Sequence, residues 1–266
     1  MKISPKKSSV SNIEFVKELA HRGCRIFTTQ AAREIAQDLG FNVRYVKEFL
    51  FHLKNEKWIH PLKRGLYTLD SLFLDGIPIH EFEIAMALAP NSVISFYSAF
   101  QYHKLTLQIP SVIYLTIPIS QNLPKVGKEK NVLIRHVKYE FVQTKKAFYF
   151  GYQKIWLHNA QIMMTDLERT LLDGLRKPQY CGSFIEVFNS YKNALDRANL
   201  GKLIDYSLKL ETAMIKRLGY VLEQCGVQEK TLHPLLKVKA SSFFKLDNQG
   251  LDEGSYNKKW MIRENI

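Results

Sequence analysis

Asn42, Arg44, Tyr45, Lys47 and Lys54 fall within one short stretch, and Lys63 and Arg64 follow closely. An Arg fork pairs in bidentate fashion with guanine, and an Asn amide does the same with adenine. Lys and Arg neutralise phosphate, which positions a protein on a duplex without reading its sequence. The residue types therefore point to nucleic-acid recognition. Thr29 and Gln30, at the start of the preceding helical pattern, complete the candidate set.

The elements needed to present these side chains are legible around them. Thr28 and Thr29 can cap a helix start, and Ala31, Ala32, Ile35, Ala36 and Leu39 recur at helical spacing. Gly40 stops that helix, and Phe41 and Asn42 make a turn, with Asn42 as the next N-cap. The second helix is expected over residues 43–55, with Val43, Val46, Leu50 and Leu53 as its apolar stripe. Arg44, Lys47 and Lys54 lie on the opposite face. In a helix-turn-helix, the N-terminal part of the second helix enters the major groove. Residues 58–60 and 66–69 read as strands around the turn Lys63-Arg64-Gly65, a wing that aims Lys63 and Arg64 at phosphate or the minor groove. Upstream, residues 12–22 form a first helix with Ile13, Val16, Leu19 and Ala20 inward. Ser11 and Glu14 are placed as a capping box, and Gly23 as a stop. Residues 24–27 are expected to form a short strand beside the wing. The order is that of a winged helix-turn-helix over residues 1–72. Two alternatives remain: a small helical core with a solvated hairpin, and a winged helix that binds protein.

The 266 residues carry a net charge of +13, and 46% are apolar. Residues 1–72 hold 13 basic and 7 acidic side chains, so the positive excess extends beyond the reader. This balance fits a polyanionic partner, or simply solubility. No apolar run approaches a membrane span, and MKISPKKSSV lacks the apolar core of a signal peptide. A cytoplasmic protein with a short N-terminal arm is expected. Cys24, Cys181 and Cys225 show neither metal spacing nor a paired framework, and read as reduced structural thiols.

Residues 74–78 are turn-rich and mark a boundary, so residues 79–266 form a second, larger α+β domain with a helical C-terminal part. Helices are expected over residues 80–89 and 94–104, then a buried strand over 112–118. A basic loop over 121–131 precedes a strand over 132–138, and one or two strands lie within 147–165. Thr165 and Glu168 are spaced as a capping box for a helix that Pro178 ends. Further helices follow, and the tail from Lys237 is expected to be polar and irregular, with Phe243, Phe244 and Trp260 available to dock back. A second basic patch comprises Lys125, Lys128, Lys130, Arg135, Lys138, Lys145 and Lys146, with Lys154 nearby and aromatics interleaved. It is either a further surface for nucleic acid or an acidic partner, or the solvated face of a sheet.

Signs of catalysis are sparse. Asp166, Glu168 and Asp173 could be imagined as metal ligands, but a capping box accounts for the first pair at a helix start, and no nearby Lys is expected to complete a nuclease-like set. The histidines lack metal spacing. Ser95, Ser98 and Ser183 lack a nucleophile elbow, and no Gly-rich phosphate loop is present. A non-enzyme without cofactor is expected; an enzyme acting on nucleic acid and delivered by the winged helix is the alternative.

The order of pieces, with KRGLYTL ending the reader, ISFYSAFQYHKL and VIYLTIP following it, and MMTDLERTLLDGLRKP later, resembles the AbiEi family of antitoxins from type IV toxin–antitoxin systems. SFYSA (residues 95–99) and TDLERTLLDGL (residues 165–175) carry the match most specifically, and the resemblance covers roughly residues 10–195. It implies an antitoxin and transcriptional autorepressor that binds inverted repeats in its own promoter. The C-terminal domain would counter an AbiEii-like nucleotidyltransferase toxin without a stable complex, in abortive phage infection or in plasmid and island maintenance. Carried onto this chain, the DNA-contacting helix maps to residues 42–54 and the wing to Lys63-Arg64-Gly65, while SFYSA and TDLERTLLDGL serve as framework. The family also contains plain regulators without a toxin partner. The segment after about Leu200 departs from the family pattern.

Overall fold

The computed structural model describes residues 11–109, 111–120, 131–158 and 160–266. The chain is α+β and divides into two compact units. The first comprises Met1–Leu88 with Ile134–His136, and the second comprises Ala89–Leu133 with Val137–Ile266. Among the described residues, no helix is long and apolar enough to cross a membrane.

The first unit runs α1 (Asn12–His21), β1 (Ile26–Thr28), α2 (Thr29–Asp38), α3 (Val46–Asn55), β2 (Ile59–Lys63), β3 (Leu66–Leu69) and α4 (Glu81–Leu88). This is the expected order of three helices and a hairpin. The Ser11 hydroxyl accepts from the Glu14 N–H at the start of α1, and Thr28 accepts from Ala31 at the start of α2. Strand β1 pairs antiparallel with β3, and β3 pairs antiparallel with β2, so β3 is the central strand. Pro61, which has no N–H to give a ladder, lies on the outer strand β2 beside a register shift.

Two apolar stripes differ from expectation. On α1, Phe15 is buried and Ile13 is exposed; the Phe15 ring packs edge-on against Phe49 of α3, with centroids 4.9 Å apart. The helix expected over 43–55 opens as a 3-10 turn, Val43–Tyr45, before α3 begins. A 3-10 turn winds three residues per turn rather than 3.6, so Val43 rotates off the stripe and stands 41% exposed. Phe49 joins Val46, Leu50 and Leu53 in its place.

The first unit also extends to Leu88 rather than closing at Leu72, so α4 belongs to it and not to the second domain. A buried ion pair links α4 to the segment ahead of β1. Arg25 Nε donates to Glu83 Oε2 at 2.9 Å, and Arg25 Nη2 donates to the carbonyls of Ile77 and Pro78. Both side chains of the pair are largely sequestered, which sequence periodicity has no means of signalling.

The second unit contains β4 (Val93–Ile94), α5 (Phe96–Tyr102), β5 (Val112–Pro118), β6 (Asn131–Ile134, whose last residue groups with the first unit), β7 (Val137–Thr144), β8 (Tyr152–Leu157) and β9 (Ala160–Thr165). Then come α6 (Leu167–Arg176), α7 (Phe184–Ala194), α8 (Leu200–Ser207), α9 (Thr212–Gln224) and α10 (Glu229–Lys237), and finally β10 (Phe244–Lys245), β11 (Ser255–Asn257) and β12 (Ile262–Glu264). Six strands form one sheet in the order β6-β7-β5-β4-β9-β8. The strand expected over 132–138 is instead a hairpin, β6 and β7, joined by Arg135 and His136 at φ 47 and 70. Two consecutive left-handed residues are what a mirror-image hairpin turn requires. The basic loop expected over 121–131 lies almost wholly outside the described residues.

Helices α6, α7, α8 and α9 share a core that includes Leu171, Leu175, Val187, Leu203, Leu218 and Val221. The tail is built into it. Strands β10, β12 and β11 form a small sheet, and Trp260 is fully buried. Its ring lies against Gly219 of α9, where an added Cβ would come within 2.0 Å of it. Its indole N–H donates to Glu223 at 2.7 Å.

Removing one partner of a buried ion pair leaves an uncompensated charge. Arg25→Ala or Glu83→Ala is expected to destabilise the first unit by about 3–5 kcal/mol, and the double substitution by less than the sum, as read by urea unfolding. Additive losses would mean that the two charges do not act as a pair.

Candidate nucleic-acid interface

A groove of about 530 Å³ runs between α3 and the β2–β3 hairpin in the first unit. Leu50, Phe51, Pro61 and Tyr67 give it apolar walls. Lys47 and Lys54 come from α3, and Arg64 with Gly65 from the hairpin turn. Helical phase explains the arrangement. Val46, Phe49, Leu50 and Leu53 face the core. At about 100° per residue, Lys47 and Lys54 fall on one flank of α3, while Glu48, Phe51 and Asn55 form its outward crest.

The β2–β3 hairpin is fixed at both ends. Gly65 adopts φ +78, a conformation that suits glycine, and its carbonyl accepts from the Thr29 N–H at 2.9 Å. Thr29 therefore holds the hairpin turn against the start of α2 and also lines the groove. Asn42 is an N-cap, as expected: its Oδ1 accepts from the Arg44 N–H at 3.0 Å. Arg44, Lys47, Lys54 and Arg64 are exposed, and Tyr45 is 59% exposed. Gln30 is exposed and donates to Glu34 of its own helix at 3.0 Å.

Lys63 departs from expectation. It closes β2 half-buried, with its ammonium directed at the Leu88 carbonyl, 3.5 Å away, and burial lowers its pKa. Of the two cations at the hairpin turn, Arg64 is the exposed one. Phe51 is the converse case, a residue that sequence reading passed over. It is 58% exposed, and the available signal was its phase, out of register with Val46, Leu50 and Leu53.

The second basic patch does not form one unit. Lys125, Lys128 and Lys130 lie outside the described residues. Arg135 sits in the turn segment that groups with the first unit, and its Nη2 donates to Thr68 Oγ1 at 2.9 Å. Lys138 pairs with Glu140 at 3.1 Å. Lys145 and Lys146 are exposed beyond β7, and Lys154 is exposed on β8.

The acidic cluster of α6 also differs from expectation. Asp166, not Thr165, caps the helix, accepting from the Arg169 N–H at 2.8 Å. Thr165 ends β9, and its hydroxyl meets that of Thr170 at 2.7 Å. A lysine does stand beside the carboxylates: Lys202 of α8 reaches Asp166 at 3.1 Å and Glu168 at 2.8 Å. Asp166 further accepts from the Tyr206 hydroxyl at 3.0 Å, and Glu168 from the Asn199 N–H at 2.9 Å. All four carboxylate oxygens are thus engaged: Asp166 Oδ1 caps α6, and the other three hold α8 to it. Asp173 is buried against Arg169, 2.9 Å away. Cys181 is fully buried, which pushes its thiol well above the usual range and leaves it protonated.

Neither a protein-family model nor a curated protein matches the chain. Among solved structures, the fold is similar to that of the Rv2827c protein from Mycobacterium tuberculosis. The TM-score is 0.68 and the identity 13%, over 95% of this chain and 90% of that one. At that identity, the likeness speaks for the fold alone.

Burial alone would raise the Glu168 carboxyl, but the Lys202 ammonium and the Asn199 N–H outweigh it and hold the group below its ordinary 4.5. A depressed carboxylate stabilises the fold above its ordinary pKa, and that contribution is lost as pH falls through the lowered value. The stability difference between the native chain and Glu168→Gln is therefore expected to shrink as pH falls below about 4.5. Urea unfolding at a series of pH values measures it; a difference independent of pH would refute the Lys202 pairing.

Proposed function

We propose that this chain is a DNA-binding antitoxin of the AbiEi type that represses its own operon, reading duplex DNA with α3 and the wing. The observation that carries this reading is the groove between α3 and the hairpin, flanked by Lys47, Lys54 and Arg64. Its width is held by strand β3 and by the Thr29–Gly65 hydrogen bond. The exposed Arg44 at the head of α3 offers a bidentate fork suited to guanine. Inverted repeats would be bound by two copies, one per half-site. In this reading the second unit counters a nucleotidyltransferase-like toxin without a stable complex, and the protein acts in the cytoplasm without cofactor or catalysis of its own. The saturated Asp166–Glu168–Lys202 cluster supports a framework role for the TDLERTLLDGL segment.

A gel-shift titration tests the reader. The probe is roughly 200 base pairs upstream of the chain's own reading frame, with random DNA as the competitor, at two salt concentrations. Selective binding is expected. Lys47→Ala with Lys54→Ala should weaken it and reduce the log–log salt slope by about 2, because each phosphate contact contributes about 1. Arg64→Ala should act in the same direction, whereas Lys63→Met should change little. Equal, purely salt-driven binding to both DNAs would refute the proposal. Growth rescue on co-expression with a toxin encoded beside it separates an antitoxin from a plain regulator, which would bind the same DNA and rescue nothing.

A further inference from the structure

We infer that Phe51 is a specificity-determining residue that reads the 5-methyl group of a thymine in the major groove. The inference rests on the DNA-reading assignment proposed above and adds to it the chemistry of one base position.

The cost of leaving Phe51 in water makes the case. A phenyl ring exposed to 58% on a ten-residue helix forgoes burial that its neighbours obtain. Val46, Phe49, Leu50 and Leu53 are all buried, so α3 has a complete apolar stripe without Phe51. Phase places Phe51 on the crest with Glu48 and Asn55, opposite that stripe. Its ring approaches that of its neighbour His52 edge-on, with centroids 6.1 Å apart, and no ring of the core stacks on it. Lys47 and Lys54, one turn before and one turn after, are exposed on the adjacent flank and line the groove with it.

The setting narrows what such a ring can touch. With the flank of Lys47 and Lys54 set against phosphates, the crest beside it is turned to the base edges. Every polar group displayed in the major groove would lose water against a phenyl ring without gaining a hydrogen bond. The thymine methyl is the one apolar group on that surface, and contact with Phe is among the recognised apolar pairings. A protein partner that buried Phe51 would instead have to cover two or more free cations beside it.

The test uses the full chain and a site obtained by in vitro selection from a random duplex pool, so that no operator need be assumed. Each thymine of the selected site is replaced in turn by deoxyuridine, which keeps the base pair and removes only the methyl. The native protein is expected to bind about four-fold more weakly at one position per half-site, the value of one buried methyl-sized group. Phe51→Ala should bind thymine and deoxyuridine probes equally at that position, and Phe51→Leu should retain part of the discrimination. Because Phe51 is exposed, both variants should keep the native melting temperature. Selective binding with no methyl-sensitive position, or methyl sensitivity that persists in Phe51→Ala, would overturn the inference and leave the reader intact. Failure to select any site would overturn the inference and the DNA-reading assignment together.

Discussion

Strand β3 is hydrogen-bonded along both edges, to β1 ahead of α2 and to β2 behind α3. The rest of the first unit depends on this. The helix pair and the wing are separate stretches of chain, and a hairpin attached only at its own base would swing relative to α3. Pairing of Ile26, Phe27 and Thr28 with Thr68, Tyr67 and Leu66 ties the hairpin to the residue that caps α2. The Thr29 N–H bond to the Gly65 carbonyl closes the other end. Lys47, Lys54 and Arg64 consequently face one groove from two walls joined by hydrogen bonds.

Several residues whose types suggest chemistry serve architecture instead. Buried charges are tolerated only with partners, and this chain supplies them across long separations. Arg25 neutralises Glu83 of α4 within the first unit. Lys202 answers Asp166 and Glu168, and Arg169 answers Asp173. The two carboxylates and a lysine in the second unit form a nuclease-like list of residue types, yet their hydrogen-bond directions are filled by Arg169, Asn199 and Tyr206. Composition alone does not separate a reactive cluster from a saturated one; the partner atoms do.

The C-terminal segment follows the same logic with apolar surface. Trp260 gains full burial only because Gly219 leaves its ring a place on α9, and Glu223 takes its N–H. A tryptophan buries a large area but needs a partner for its indole N–H. A glycine inside a helix costs roughly 1 kcal/mol relative to alanine, a cost offset here by the close approach it permits. A stretch that reads as a polar tail is thereby a strand-forming part of the second unit.

Local spacing in the sequence determined the order of helices and strands in the first unit, the caps at Ser11, Thr28 and Asn42, and strand β5, whose bounds match those expected. These features depend on neighbours within one or two turns, which is the range over which 3.6- and 2-residue periods act. The candidate groove residues Lys47, Lys54 and Arg64 were legible for the same reason. Tertiary structure alone decided which of the cations is free, because Lys63 meets Leu88 twenty-five residues away. It alone placed Lys202 on Asp166 and Glu168, split the strand over 132–138 into a hairpin, and extended the first unit to Leu88. Phe51 lies between the two cases. Its phase was written in the sequence, but its exposure followed from Phe15 and Phe49 completing the core without it. Long-range pairing is settled by burial and charge balance among groups far apart in the chain, and those are properties of the packed molecule.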